Sequence, residues 1–242
     1  MKKLIIVLSI IVTSITIYTI NHNHENNDFD YKQYYRYCKE NTKNIKKLLK
    51  TVIKKQKYIG YTEARYQMFT YIDNYNGYVN SIYSNENFYC NGIPNPNKFN
   101  CEHTIPQSKF SNNEKNFQKT DLHHLRPCNS RINSIRGNYP YGIVKVVQKS
   151  FNGSLYGLNS EGKKVFEPRD EIKGNIARGI FYFSLRYDWK IDDKYEKLLR
   201  KWHNEDLVTE KEFNRNSRIE DIQENRNPFI DHPEFVDYIK DF

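Results

Sequence analysis

Two stretches decide the fold: Asn100-Cys101-Glu102-His103-Thr104-Ile105-Pro106, and about twenty residues on, Asp121-Leu122-His123-His124-Leu125-Arg126-Pro127, which runs on to Asn133, Arg136 and Asn138. In an extended strand, the neighbours Glu102 and His103 point to opposite faces. Pro106 ends regular pairing just after them. Asn129 and Ser130 are good N-caps for a short helix that carries Asn133. The expected unit is therefore strand, loop, strand, helix, with His123 and His124 alternating in the second strand.

The residue types in that unit suit phosphodiester hydrolysis. The nucleophile is water, and a histidine that titrates near neutrality can take its proton. The pentavalent phosphorus and the leaving oxygen gain negative charge, which a hard divalent cation on oxygen ligands offsets. Glu102 and Asn133 supply such oxygens, and Arg126 or Arg136 can hold the non-bridging ones. By itself a Glu-His pair is more often surface or a satisfied buried pair, and at least one of His123 and His124 reads as structural.

The rest of the chain sets limits. With 242 residues, 38% apolar and 15% aromatic, it can bury one sizeable core. A formal net charge of +9 favours an anionic partner. Met1-Lys2-Lys3 followed by the uncharged Leu4–Ile20 has the layout of a secretory signal or, uncleaved, of a signal-anchor. Either way the folded part is exported, secreted or held on the outer face of a membrane by residues 4–20. His22-Asn23-His24 falls in a polar linker and is read as coincidence. Four cysteines, Cys38, Cys90, Cys101 and Cys128, suit an oxidising compartment. Cys90 and Cys101 flank a short loop with Pro94 and Pro96 and are the favoured pair, which leaves Cys38 with Cys128. No C-x-x-C pair is present to suggest structural zinc.

Periodicity places the remaining elements. Residues 31–57 read as helical. Thr62 caps a helix from Glu63 to about Asp73, with Ala64, Met68 and Ile72 on one face. Asn76-Gly77 marks a turn, and Tyr78–Tyr83 alternates like a strand. Pro168 precedes a helix over about Glu171–Tyr187, Lys194–His203 is a shorter one, and Thr209-Glu210-Lys211-Glu212 is a capping box that opens a last helix to about Gln223. The fold class is α+β, with helices dominating the C-terminal half.

The chain resembles the bacterial endonuclease I family of ββα-metal (His-Me finger) nucleases, particularly its extracellular branch. The resemblance rests on ordered matches over about residues 58–235. They include Tyr61-Thr62-Glu63-Ala64-Arg65, Asn100-Cys101-Glu102-His103-Thr104, Pro106-Gln107-Ser108 and Thr120-Asp121-Leu122-His123-His124-Leu125-Arg126-Pro127. Further along come Asn133-Ser134, Arg136-Gly137-Asn138 and Asn225-Arg226-Asn227-Pro228-Phe229-Ile230-Asp231-His232-Pro233-Glu234. It implies one nuclease domain over 58–242; residues 1–57 lie outside it and are read from their own composition as a leader at 1–20 and a polar linker and helical extension at 21–57. It also implies His103 as general base, Glu102 and Asn133 as ligands of one metal (Mg2+, or another hard cation such as Mn2+ or Ca2+), and phosphate roles for Arg126 and Arg136. The expected activity is cleavage of DNA, and of RNA as well, with little sequence preference and with 5′-phosphate ends. The expected partners are nucleic acid, and a membrane only through the first segment; the expected state is a monomer. The alternative is a surface protein that binds nucleic acid without cutting it. Cys128-Asn129-Ser130-Arg131 departs from the family pattern. So does Glu224, which stands where the family commonly has Gly; in a left-handed conformation it would cost roughly 1–2 kcal/mol.

Overall fold

The computed structural model describes residues 29–242. The expected leader and the His22-Asn23-His24 triplet lie outside the described residues. The chain divides into two compact units, Met1–Thr42 and Lys43–Phe242. In the first, helix α1 (Tyr31–Glu40) starts on Asp30, whose carboxylate accepts from the Gln33 N–H at 2.9 Å. Among the described residues no helix is long and apolar enough to cross a membrane.

The second unit is a mixture of helices and small antiparallel sheets, as the α+β expectation has it. Helix α2 (Ile45–Ile53) buries Ile45, Leu49, Val52 and Ile53. Helix α3 (Tyr61–Gln67) begins on Gly60 rather than Thr62, two residues earlier than the capping rule suggests, and Gly60 makes no side-chain cap. It widens into a π turn over Met68–Ile72. The expected face holds: Ala64, Met68 and Ile72 are fully buried in the main core, with Phe99, Leu122 and Leu125.

Asn76 and Gly77, both at positive φ (54° and 83°), form the hairpin turn between β1 (Asn74–Tyr75) and β2 (Tyr78–Asn80). Strand β3 (Asn87–Tyr89) completes that sheet. The strand expected to reach Tyr83 stops at Asn80, because the chain then bonds elsewhere. The Ile82 N–H donates to the Pro127 carbonyl at 2.9 Å, and the Ser81 hydroxyl accepts from the Asn129 N–H at 3.1 Å.

Strands β4 (Phe99–His103) and β5 (Leu125–Asn129) pair antiparallel, in a register that sets Glu102 opposite Arg126 and His103 opposite Leu125. Between them lies a short helix, α4 (Lys115–Thr120), and after them α5 (Ser130–Arg136). Asn129 caps α5, its side chain accepting from Arg131 and Ile132 N–H groups at 3.0 and 3.3 Å. The strand expected at His123–His124 is instead a turn. Asp121 makes it so: its carboxylate accepts from the His123 N–H at 3.0 Å, an Asx turn that competes with strand pairing.

A second three-stranded sheet, β6 (Val146–Phe151), β7 (Ser154–Leu158) and β8 (Lys164–Glu167), leads into the helical half. Helix α6 (Lys173–Tyr187) is buried nearly all round rather than along one stripe. Asp192 caps α7 (Asp193–Glu205). Thr209 caps α8 (Glu210–Gln223), accepting from the Glu212 N–H at 3.2 Å. The reciprocal half of the capping box is missing, since Glu212 turns its carboxylate to Arg178 instead. Glu224 ends α8 in the left-handed conformation at φ 60°. Helices α9 (Pro228–Asp231) and α10 (Phe235–Tyr238) close the chain.

The cysteine pairing expected from spacing does not form: all four thiols are free. Cys101 faces the core, its Sγ 3.9 Å from Met68 Sδ, while the Cys90 thiol donates to the Gly92 carbonyl at 2.8 Å.

Burial of histidines makes the fold acid-sensitive. Burial pushes His123, against the pull of Asp121, down to about 4. It does the same to His203, with Arg178 adding to the effect. Both groups are depressed below the unfolded value, so the unfolded chain binds more protons between about pH 6.5 and 4, and stability falls as pH falls through that window. Two such groups remove up to about 3 kcal/mol per pH unit, and each kcal/mol moves Tm by roughly 2–4 °C in a domain this size. Melting curves in chelator from pH 7 to pH 4.5 should drop steeply; a flat Tm would contradict this account of the buried histidines.

Candidate active site

The β4–β5–α5 unit brings Glu102, His103 and Asn133 to one open pocket of about 310 Å³, which Gln107, Ser108 and Asn138 also line. Alternation along β4 sends Glu102 and His103 to opposite faces, so each has its own set of supports.

Glu102 is 3% exposed. Its Oε1 accepts from the Tyr83 hydroxyl at 2.6 Å and lies 3.1 Å from Arg136 Nε. Tyr83 spends its proton on Glu102, so in its 2.6 Å contact with Tyr141 the Tyr141 hydroxyl donates. Arg136 packs its guanidinium over the Tyr141 ring at 4.6 Å and donates to the Gly137 and Thr104 carbonyls, both at 2.8 Å. Arg136 is 1% exposed, and its Nε makes no hydrogen bond, only the ion-pair contact with Glu102. Burial raises the Glu102 carboxyl from its ordinary value, with Arg136 and Tyr83 pulling the other way. The Tyr83 and Arg136 contacts both fall on one carboxylate oxygen, Oε1.

His103 is 6% exposed. Its Nε2 lies 3.0 Å from the Lys119 carbonyl, which can only accept, so Nε2 carries the proton and Nδ1 keeps its lone pair. Gln107 approaches Nδ1 at 3.5 Å, the limit of a hydrogen bond. The ring stacks near Tyr61 at 5.8 Å. Burial, helped by His124, pushes His103 down to about 3, so at neutral pH the imidazole is the neutral base. His123 and His124 also bond through Nε2 to backbone carbonyls, of Asn225 and Gln118, but their Nδ1 atoms are sealed inside the protein. The same local chemistry gives one histidine that faces the pocket and two that serve the core.

Asn133 Nδ2 donates to Asn100 Oδ1 at 2.7 Å and to the Cys101 carbonyl at 3.3 Å. That fixes the amide so that Oδ1, free of protein donors among the described residues, is the atom left for a ligand. Glu102 Oε2 and Asn133 Oδ1 are the oxygens a hard cation takes, and two protein ligands leave room for water and phosphate. The donor set therefore fits a Mg2+-like ion. Among the described residues no cluster of three or more His, Cys, Asp or Glu side chains could hold a metal, so a thiolate or multi-histidine centre is not in competition.

Neither expected arginine lines that pocket: Arg136 reaches it only through its contact with Glu102, and Arg126 lies apart from it. Arg126 is buried, and its charged neighbours are Arg215, Asp73 and Glu212. Burial and Arg215 push it down to about 10. Opposite register to Glu102 did not fix its direction, because a long side chain can leave the strand along either neighbour. Tyr83, Tyr141 and the Lys119 carbonyl were not foreseen, and no local motif announces them. Gln107 and Asn138 sit in stretches already singled out.

The sequence model of the Endonuclease I family matches residues 41–234. Among curated proteins, the chain is 41% identical over 138 residues to the extracellular ribonuclease of Bacillus amyloliquefaciens, covering 50% of this chain and 46% of that protein. It is 35% identical over 163 residues to the extracellular ribonuclease of Bacillus subtilis (strain 168), covering 60% and 55%. Over 154 residues it is 33% identical to the endonuclease-1 of Buchnera aphidicola subsp. Baizongia pistaciae, covering 55% and 62%. The chain thus spans about half the length of the curated relatives it matches. A sequence model that covers most of the chain coincides here with a strand–strand–helix frame around Glu102, His103 and Asn133: the chain belongs to the endonuclease I family.

Proposed function

We propose that this protein is an exported endonuclease that hydrolyses phosphodiester bonds of DNA and RNA to 5′-phosphate ends, using one divalent cation held by Glu102 and Asn133. The observation that carries this reading is the pairing of two prepared atoms in one pocket: the Nδ1 lone pair of a neutral His103, met only by Gln107 at 3.5 Å, and the Oδ1 of Asn133, which has no protein donor among the described residues. Its family, and relatives named as extracellular ribonuclease and endonuclease-1, support it. Relatives named as extracellular or periplasmic also support export.

In this reading His103 Nδ1 takes the proton of the attacking water, while the Lys119 carbonyl holds the ring in the one tautomer that can do so. A bound Mg2+ would offset the negative charge that grows on the phosphate and the leaving oxygen. Arg136 and Tyr83 keep Glu102 ionised and fixed in direction, so Arg136 is a positioning residue rather than a phosphate clamp. Gln107, Ser108 and Asn138 offer polar side chains to a backbone phosphate at the pocket's edge. None of this machinery reads base edges, which agrees with cleavage of little sequence preference.

The test is direct. Purified protein with Mg2+ should nick supercoiled plasmid and degrade RNA. Retardation of either without cutting would favour the second reading, a binding protein that has lost catalysis.

A further inference from the structure

A second cavity adjoins the first. It has a volume of about 930 Å³, and Pro106 and Asn138 line both. A strand with its phosphate at His103 has this groove directly beside it for the neighbouring nucleotides. Its buried lining combines the apolar Ile105, Val165 and Ile180 with Tyr141, Thr104 and Arg136, and the Arg136 guanidinium is occupied by the Thr104 and Gly137 carbonyls. Trp189 and Tyr139 are half-buried there and present aromatic surface. The exposed lining is cationic. Lys109 and Lys145 have side chains with no ion pair or hydrogen bond among the described residues, whereas Lys163 and Lys194 share Glu161. Asp192 is the one carboxylate on the lining, and it is spent on capping α7.

Apolar walls with aromatic side chains suit a flat heterocycle, and free lysines at the rim suit the phosphates on either side of it. A volume this large can enclose a whole base with its sugar. A paired, stacked base cannot enter such a cavity without first being pulled from the helix, and a single strand escapes that cost. The geometry points to this groove as a nucleobase site that makes the protein select unpaired strands over duplex. The inference rests on the nuclease reading and names its substrate class.

Binding is measured on the His103→Ala protein in Mg2+, with a fluorescent 12-mer deoxyoligonucleotide, single-stranded or annealed to its complement. The single strand should bind at least tenfold tighter. Base–aromatic stacking is worth about 5- to 150-fold in affinity, so Trp189→Ala should weaken single-strand binding within that range. The chain has two tryptophans, and Trp202 is 1% exposed. Quenching of intrinsic fluorescence by the unlabelled single strand should therefore come from Trp189 and vanish in Trp189→Phe. Lys109→Ala with Lys145→Ala should lower the slope of log affinity against log salt by about 1–2. Melting curves check that each variant is folded. Equal affinity for both forms, or quenching that persists in Trp189→Phe, would overturn the proposal. Failure of the nuclease reading looks different: wild-type protein in Mg2+ would cut neither form, whatever it binds.

Discussion

His103→Ala should slow phosphodiester cleavage by about 10²- to 10⁴-fold, the range general bases supply. The effect is large because nothing else in the pocket can take the proton. Glu102 is committed to Tyr83 and Arg136 through Oε1, and His124, the nearest other imidazole, has its Nδ1 sealed from the pocket. His103 is also held ready: Lys119 fixes its tautomer, and burial keeps it neutral at pH 7. Single-turnover rates on a labelled oligonucleotide, at saturating enzyme and Mg2+, isolate the chemical step. His103→Gln should be as slow as His103→Ala, since an amide nitrogen can replace the bond to Lys119 but not the base. A loss of less than about fivefold in both would remove His103 from the role of base.

Arg178→Ala should cost about 3–5 kcal/mol of stability. Arg178 and Glu212 are both 0% exposed at their side chains. The guanidinium donates to both carboxylate oxygens, at 2.8 and 2.6 Å, and to the Asp206 carbonyl at 2.8 Å. The pair joins α6 to the first turn of α8 and holds the Asp206 loop between them. Removing Arg178 strands a carboxylate in the core, and that desolvated charge, more than the lost attraction, sets the size of the effect. The double replacement Arg178→Met with Glu212→Leu removes the stranded charge and should recover more than half of the loss. Urea titrations of the three proteins measure this. A single variant within 1 kcal/mol of the wild type would show that the pair does not hold these helices.

The site was legible in the sequence where local chemistry decides structure. Pro106 ends a strand and Asn129 caps a helix, which makes a shared space for Glu102, His103 and Asn133 a reasonable expectation; the ordered family matches around them supplied their roles. What was not legible depends on partners far along the chain. Glu212 fits a capping box by spacing, yet Arg178, 34 residues away, takes its side chain. Arg126 matches by position, yet its side chain turns toward Asp73 and Arg215. Cys90 and Cys101 look paired by spacing, but the alternation of β4 turns Cys101 toward Met68. His123 and His124 alternate in the sequence like a strand, and one Asp121 side chain folds them into a turn. For Glu212 and Arg126 a distant partner outweighs a local preference of about 1 kcal/mol, whereas the Asp121 turn is itself local, one side-chain preference winning over strand alternation.

In the proposed mechanism Glu102 and Asn133 hold the ion on which cleavage depends. This is tested most directly by the cleavage rate of one oligonucleotide as free Mg2+ is removed with chelator and then restored, for the wild type and for Asn133→Ala. The account predicts that wild-type cleavage stops in chelator and returns with Mg2+, and that Asn133→Ala needs at least about tenfold more Mg2+ for half its maximal rate, as loss of metal-site groups commonly does. Wild-type cleavage that continues undiminished in excess chelator would contradict it.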